Sequence, residues 1–327
     1  NVGRQKKIRA ACIVGRSFIR EVCAMKKVFG QCVRYGVYPF MLLVAVFVIV
    51  EAIRHGWDFC TVSGYFLGAL VVSLIALEMA FPMKRAWKMT WGSFLRDLKY
   101  ITMGVTTTMH VRSGGILLAL YARSGASGPL SGRPFFESFV IALLVFEFFQ
   151  YWHHRLSHEM GGAVGGFLWR IHAAHHLPTQ VYVLMHAVGH PLNDLISRHL
   201  LLAGVVLVLG ASPEVVFAFG ILTAINGTFS HLNVDIRAGG LNYFLVSTEL
   251  HRHHHSADRS QSKNYGATIP FWDQVFGTFV YEPGVAPERL GVDEPGLYPD
   301  SNSFWQVMKL PLVGLAETPS QIGRAHV

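Results

Sequence analysis

Charge is scarce in this 327-residue chain: 15% of residues are charged against 51% hydrophobic, where a soluble protein usually has about a quarter charged. The shortage excludes water as the solvent for much of the chain and points to lipid. Cysteine is scarcer still. Cys12, Cys23, Cys32 and Cys60 lie near the start without a C-x-x-C pair, which argues against a disulfide framework or a thiolate metal site and for reduced thiols. Spread-out basic charge is also missing. Arg4, Lys6, Lys7, Arg9, Arg16, Arg20, Lys26, Lys27 and Arg34 stand against Glu21 alone, so residues 1–34 account for the whole net charge of +8. A nucleic-acid partner is therefore not expected, because such a face needs basic residues throughout the fold. A basic block just ahead of an apolar run reads instead as a cytoplasmic tail. No internal repeat or heptad run is evident.

What is present is a series of long apolar runs. A membrane crossing takes about 20 apolar residues, and 37–53 and 62–81 meet that with few charges. The first run is long and lacks a small-residue cleavage pattern, so it is read as a retained span rather than a signal peptide. The chain starts with Asn, and Met25 offers an alternative start; no function is placed in residues 1–24, which could be an extension. Lys84, Arg85, Lys88, Arg96 and Lys99 against Asp97 put 84–99 on the same, cytoplasmic side as the basic N-terminus. Residues 101–122 are apolar but interrupted by His110, Arg112, Gly114 and Gly115, and predict a weaker or broken span. A Gly/Ser/Pro-rich loop at 124–134 precedes a strong span at 135–152, which returns the chain to the cytoplasmic face. The runs 192–209 and 213–230, joined by Gly210-Ala211-Ser212-Pro213, predict a helical hairpin that brings His231 to that same face. The expected architecture is all-α: a polytopic membrane bundle with a cytoplasmic histidine-rich helical cap. Its expected parts are a basic segment 1–34, an N-terminal transmembrane region 35–134, a catalytic domain 135–282 and a tail 283–327.

Histidine is the abundant chemistry. Fourteen of the 17 histidines fall between His153 and His255, a density that core packing does not require. They are also patterned. His154 and His158 form H-x-x-x-H after the 135–152 span; four residues turn a helix by about 400°, so both imidazoles leave one face. His172, His175 and His176 form H-x-x-H-H, and His251, His254 and His255 repeat it. A single pair of this kind is a weak signal, and a run of solvated or hydrogen-bonded histidines is the bland alternative. Three patterns together imply metal. Neutral imidazole suits Fe, Zn or Cu, and eight or more ligands exceed the four of one tetrahedral site, so two metals are expected. Oxidising an unactivated C–H bond with O2 needs a redox metal, because side chains cannot supply that chemistry.

The motifs Tyr151-Trp152-His153-His154-Arg155-Leu156-Ser157-His158-Glu159, Trp169-Arg170-Ile171-His172-Ala173-Ala174-His175-His176, His190-Pro191-Leu192, Phe229-Ser230-His231-Leu232-Asn233 and Glu249-Leu250-His251-Arg252-His253-His254-His255-Ser256 occur in that order. Asn264-Tyr265-Gly266 and Phe271-Trp272-Asp273-Gln274-Val275-Phe276-Gly277-Thr278-Phe279 close the series. Over roughly 135–280 the chain resembles the membrane-bound fatty acid hydroxylase and sterol desaturase superfamily. The resemblance implies two Fe ions held by His154, His158, His172, His175, His176, His190, His251, His254 and His255, with His231 as a tenth ligand. Zn could occupy the site in recombinant protein. His190 and His231 rest on the motif match alone, since a lone histidine beside an apolar run is more often structural. His186, four before His190, stands between ligand and outer layer. His153 and His253 are expected to point elsewhere, and His55, His110, His199 and His326 to be incidental. Where that family often carries Asp seven residues before the first boxed histidine, this chain has Glu147. It is read as a catalytic-site residue that hydrogen-bonds a ligand imidazole, with an ion pair to Arg155 or Arg170 as the alternative. Asn233, Asp235 and Asp194 are further outer-layer candidates.

The implied activity is O2-dependent hydroxylation or desaturation of a membrane lipid, sterol, fatty acyl or related, in a bacterial inner membrane or ER-type membrane. No cytochrome b5-like heme motif or ferredoxin-like cysteine set is present, so a separate redox partner, a reductase with ferredoxin or a cytochrome b5-like protein, is expected as electron donor. An ether-lipid monooxygenase or carotenoid hydroxylase with the same centre is the nearest alternative. A metal-binding or metal-transporting membrane protein is the alternative of another class; it would place its ligands near the bilayer midplane. The sequence leaves the oligomeric state open.

Overall fold

The computed structural model describes the backbone of residues 2–122 and 128–313 and the side chains of 27–108 and 128–312; Cys12, Cys23, His110, Arg112 and His326 lie outside the described side chains. Among the described residues the fold is all-α, with one isolated bridge between Ser256 and Leu290 and no strand. Helix α1 covers Val2–His55, α2 Phe59–Ala80, α3 Trp91–Ala122, α4 Phe135–Glu159 and α5 Gly162–His176. Then come α6 Pro191–Asp194, a π-helical stretch Leu195–Leu200, α7 Leu201–Leu207 and α8 Pro213–Ser230. The short α9 Thr248–His254, α10 Phe271–Val275 and α11 Phe304–Val313 complete the chain.

Among the described residues, four helices are long and apolar enough to cross a membrane: Lys27–His55 within α1, Phe59–Ala80, Phe135–Glu159 and Pro213–Ser230. The 22 residues of α2 span about 33 Å at 1.5 Å per residue, the thickness of a bilayer core. Phe40, Leu43, Val46, Phe47 and Val50 remain exposed along α1; such an apolar face is compatible with lipid and costly in water. The chain is thus an integral membrane protein. Helix α8 is the most enclosed of the four. It packs against α1 and α2 through Tyr38, Phe66, Leu70, Phe217 and Ile221, and against α4 through Phe146, Val215 and Phe219.

One expected span is narrowed and another differs from its reading. Of the weaker or broken span expected at 101–122, the continuous helical backbone from Trp91 to Ala122 removes only the broken alternative. The 192–209 run is not one α-helix but passes through α6, the π-helical stretch and α7, and so is not among the four long apolar helices. The hairpin turn itself is as expected. Gly210 takes φ +70°, where a Cβ would sit 2.8 Å from the Gly128 amide, and Ser212 caps α8 by accepting from the Val215 amide at 3.4 Å.

The ends of these helices sort onto two sides. On one, the Leu130 amide donates to the Leu209 carbonyl at 2.8 Å, tying the start of α4 to the hairpin turn. On the other, Arg34 near the start of the first span pairs with Asp235 at 2.6 Å. There also the Met83 amide, just past α2, donates to Asn233 at 2.9 Å. The C-terminal ends of α4 and α8 arrive at that second side, and so do all the patterned histidines.

Candidate metal centre

The C-terminal turns of α4, α5, α8 and α9 bring nine imidazoles into two groups: His154, His158, His172, His176 and His254 in one, His175, His231, His251 and His255 in the other, each with its donor atoms within 4.8 Å of one another. The two boxes of H-x-x-H-H do not each serve one face as the spacing suggested. Members four apart, His172 with His176 and His251 with His255, stay together. The residue between them at offset three, His175 or His254, crosses to the other group. Neighbours in a helix point about 100° apart, so His175 and His176 cannot face one centre; each box therefore feeds both groups. The groups adjoin where His176 stacks on His255 with ring centroids 4.5 Å apart.

The outer nitrogens decide what the inner ones can do. His154 Nδ1 donates to the Tyr265 carbonyl at 2.7 Å, His254 Nδ1 to the Lys263 carbonyl at 3.0 Å, His175 Nδ1 to the Val188 carbonyl at 2.7 Å and His231 Nδ1 to the Gly227 carbonyl at 3.1 Å. A carbonyl only accepts, so each of these rings carries its proton on Nδ1 and presents a bare Nε2 lone pair inward. Yet His231 Nε2 lies 3.0 Å from His175 Nε2. Two acceptors at that distance repel unless a cation lies beside both. His154 and His172 Nε2 approach to 3.0 Å, as do His172 and His176, while the buried Nε2 atoms of His158 and His254 have no hydrogen-bond partner. Ligand nitrogens about 2.1 Å from a metal ion sit about 3.0–3.4 Å apart, which is the spacing found. The donor set therefore fits two imidazole-bound metal ions.

Electrostatics agree. Burial first, and neighbouring imidazoles second, hold His172, His176, His254 and His255 well below the usual histidine range, and burial pushes His175 down to about 4. Neutral imidazole is the ligating form.

The loop 263–268 orients the first group, and α4 grips it at two points. Glu147 accepts from the Ala267 and Thr268 amides, both at 3.0 Å. One end of the loop is held by Glu159, which accepts from Lys263 Nζ at 2.6 Å and from the Tyr265 hydroxyl at 3.0 Å. Asp273 of α10 accepts from the Tyr265 and Gly266 amides, both at 2.7 Å. Four consecutive amides thus end on two buried carboxylates, and the Lys263 and Tyr265 carbonyls of the same loop accept from His254 and His154. Asn264 makes the turn at φ +64°, its side chain bonded to the Val280 backbone on both sides.

Several expected roles move. Glu147 touches no imidazole and pairs with neither Arg155, which bonds Glu159 at 2.7 Å, nor Arg170; it acts through the loop. His190 stays outside both groups: its Nδ1 accepts from the Leu192 amide at 3.2 Å and its Nε2 donates to the Met308 carbonyl at 3.2 Å. Asn233 is tied to the Lys84 backbone, and Asp235 to Arg34 and Arg237. Asp194 lines the cavity described below. His253 turns away to the Val285 carbonyl at 3.1 Å. His186 is in neither group, though its ring lies 5.1 Å from that of His231. Reasoning from spacing missed Glu78, whose carboxylate, buried near the end of α2, accepts from the Val183 and Asn233 amides at 2.9 and 2.7 Å. A lone acid inside an apolar run was the available signal.

Two spaces reach the histidines. A cavity of about 450 Å³ between α4, α8 and the π-helical stretch touches His154, His172, His175, His231 and His251, with walls at Leu67, Phe146, Leu202, Val216 and Phe219. A polar cleft of about 440 Å³ reaches His158 and His176 from another direction, past Glu159, Arg259, Lys263 and Asp293.

Residues 139–278 match the family model described as fatty acid hydroxylase. The chain is 29% identical over 232 residues to an ornithine lipid hydroxylase of Rhizobium tropici, covering 68% of each protein. It is 29% identical over 143 residues to human alkylglycerol monooxygenase, covering 43% of this chain but 30% of that protein. To a rice very-long-chain aldehyde decarbonylase it is 29% identical over 150 residues, 43% of this chain and 53% of that one. No solved structure matches significantly. The stretch 139–278 that is similar to the fatty acid hydroxylase family holds both histidine groups and the loop that orients them.

Proposed function

We propose that this protein is a membrane-bound, O2-dependent di-iron oxygenase that hydroxylates or desaturates an unactivated C–H of a membrane lipid. The observation that carries the reading is the pair of groups of inward-facing, neutral Nε2 atoms at one end of an apolar cavity. The five histidines of the first group would hold one iron and the four of the second the other. Bound there, the two ions would supply the O2-dependent redox chemistry that side chains lack. The chain's own part is positional. The carbonyls of Tyr265, Lys263, Val188 and Gly227 hold four rings by their Nδ1 protons, which keeps the lone pairs inward. Phe146, Val216 and Phe219 wall off water and hold an alkyl segment against the histidines. Hydroxylation and desaturation differ in whether a second hydrogen leaves, so the fit of the carbon in this cavity selects between them.

The histidine side is proposed as cytoplasmic, since Arg34 and the basic block preceding it lie at that end of α1. The polar cleft beside His158 and His176 gives the electrons of a separate redox partner a route from the water side. The proposed divisions remain 1–34, 35–134, 135–282 and 283–327. Similarity to alkylglycerol monooxygenase favours an ether lipid as the second substrate reading. A metal transporter is disfavoured because the ligands gather at one end of the spans rather than at midplane.

The test is metal analysis of anaerobically purified protein together with mass spectrometry of lipids from expressing cells. Two irons per chain and a lipid gaining one oxygen or losing two hydrogens are expected. Metal flux in vesicles with no lipid oxidation and no O2 uptake would overturn the reading.

A further inference from the structure

Two short elements beside the histidine loop carry apolar side chains that nothing covers among the described residues. Phe271 and Val275, one turn apart on α10, are exposed, and so are Tyr243 and Phe244 at the end of the one-turn helix Gly239–Tyr243, Phe244 by 71%. The two elements adjoin: Gln274 Nε2 donates to the Tyr243 carbonyl at 2.8 Å, and the Val246 amide donates to the Thr268 carbonyl at 2.8 Å. Water is a costly neighbour for such a patch.

Its depth says what lies against it. Arg133 and Glu137 pair at the start of α4, Arg155 and Glu159 pair at its end, and the only charged residue between is the buried Glu147. A bilayer core of about 30 Å takes up about 20 residues of an upright helix, and tilt draws in more, so the core extends along α4 from near Phe135 to near His154. Helix α10 lies along that stretch. Trp272 Nε1 donates to the Leu144 carbonyl at 3.0 Å, its ring meets that of Phe148 at 5.0 Å, and Phe276 meets Trp152 at 5.1 Å. Leu144 is about 16 Å along the helix from Arg155, which sets α10 level with the interior of the leaflet on the histidine side. Phe149, exposed on α4, carries the same apolar surface over onto the span.

Backbone beside lipid must satisfy itself, because hydrocarbon offers no partner. It does so here. The Phe244 and Leu245 amides donate to the Leu241 carbonyl at 2.9 and 2.8 Å, the Phe276 amide to the Trp272 carbonyl at 2.9 Å and the Thr278 amide to the Asp273 carbonyl at 2.8 Å. Gln274 turns its side-chain amide onto the Tyr243 and Pro270 carbonyls. No charged residue stands in 238–248, and the one in 266–281, Asp273, is buried.

We propose that Tyr243, Phe244, Phe271 and Val275 form an apolar wedge set among the acyl chains of the histidine-side leaflet, beside α4 and without crossing the bilayer. This goes beyond the oxygenase reading and holds whichever reaction the histidines serve. The seat of the wedge bears on them all the same, since Asp273 of α10 accepts the Tyr265 and Gly266 amides of the loop that holds His154.

The test uses the full chain in nanodiscs of phosphatidylcholine and phosphatidylglycerol, with its cysteines replaced by serine and a nitroxide attached at Phe244→Cys or Val275→Cys. Leu43→Cys, on the exposed face of α1, is the lipid reference and Glu294→Cys the water reference. Both wedge labels should collide with O2 as often as the Leu43→Cys label and lose the collisions with water-soluble chromium oxalate that the Glu294→Cys label shows. Phe271→Cys takes the place of either variant that fails to fold. Chromium oxalate collisions at either wedge position as frequent as at the water reference overturn the proposal. Exclusion of both reagents overturns it too, and dipolar broadening between labels on two chains would then name a second copy of the protein as the occupant.

Discussion

Replacing Glu147 with Leu should weaken one of the two proposed metal sites and spare the other. The carboxylate touches neither histidine group; it accepts the Ala267 and Thr268 amides at 3.0 Å each. Leucine leaves both donors buried and unpaired, at about 1–3 kcal/mol apiece, or roughly 2–6 kcal/mol together. Set against a typical stability of about 5–15 kcal/mol, the cheaper response is for the loop to come away locally and hydrate its amides. The Tyr265 carbonyl then leaves His154 Nδ1, now 2.7 Å away, and the Lys263 carbonyl leaves His254 Nδ1 at 3.0 Å. Loss of such an orienting partner typically weakens a metal site about 10–100-fold. His175 and His231 take their carbonyls from Val188 and Gly227, outside this loop, so the second group should be untouched. Titration of metal-free protein with Co2+ against a competing chelator reads the two sites separately. One site weakened about 10–100-fold and one unchanged is the expected result, with Glu147→Gln, which keeps one acceptor, falling between Leu and the unmodified protein. If both sites stay within threefold, or both weaken equally, the claim that Glu147 acts through the loop on the first group is refuted.

His172→Ala and His254→Ala should each abolish lipid oxidation while the protein still inserts in the membrane; full activity in either variant would remove that residue from the ligands. His190→Ala should keep two metal equivalents and lose only about 0.5–2 kcal/mol of stability, the worth of a helix cap, because its ring bonds backbone atoms rather than either group. Loss of a whole equivalent of metal would show that His190 is a ligand after all. Gly266→Ala should fail more severely than its size suggests, since the new Cβ would stand 2.4 Å from the Ile269 carbonyl oxygen and 2.9 Å from Asp273 Oδ2. Metal content of the first site and thermal melting would both fall, and normal values for both would contradict the reading of this turn.

The sequence reveals the helices and most of the site, and the reason is periodicity. Apolar runs of bilayer length are visible in one dimension, and so is a pair of histidines one helical turn apart, because both are local consequences of 3.6 residues per turn. What local patterns cannot carry is partition. Nothing in H-x-x-H-H says that its middle member falls in a different histidine group from its outer two; that requires α5 and α9 to face each other, which is a tertiary fact. The same limit explains His190 and Glu147, placed by motif in a layer they do not occupy. The π-helical stretch Leu195–Leu200 had no sequence signature, and it lies on the wall where the cavity becomes polar.

A rule does emerge that would have found the missed residues. Glu78, Glu147 and Glu159 are acids within or at the end of otherwise apolar helices; Glu147 takes two neighbouring amides of the loop that orients histidines, and Glu78 takes one amide from each of two segments that carry histidines. A carboxylate buried near lipid must be matched by donors, and loop amides at the end of a span are donors that cannot find water. Each problem solves the other, and for Glu147 the result is a loop pinned to a rigid helix at the point where its carbonyls hold His154 and His254. A lone acid near the histidine end of a span should therefore be read first as an anchor for loop backbone, and only afterwards as a partner for an imidazole or an arginine.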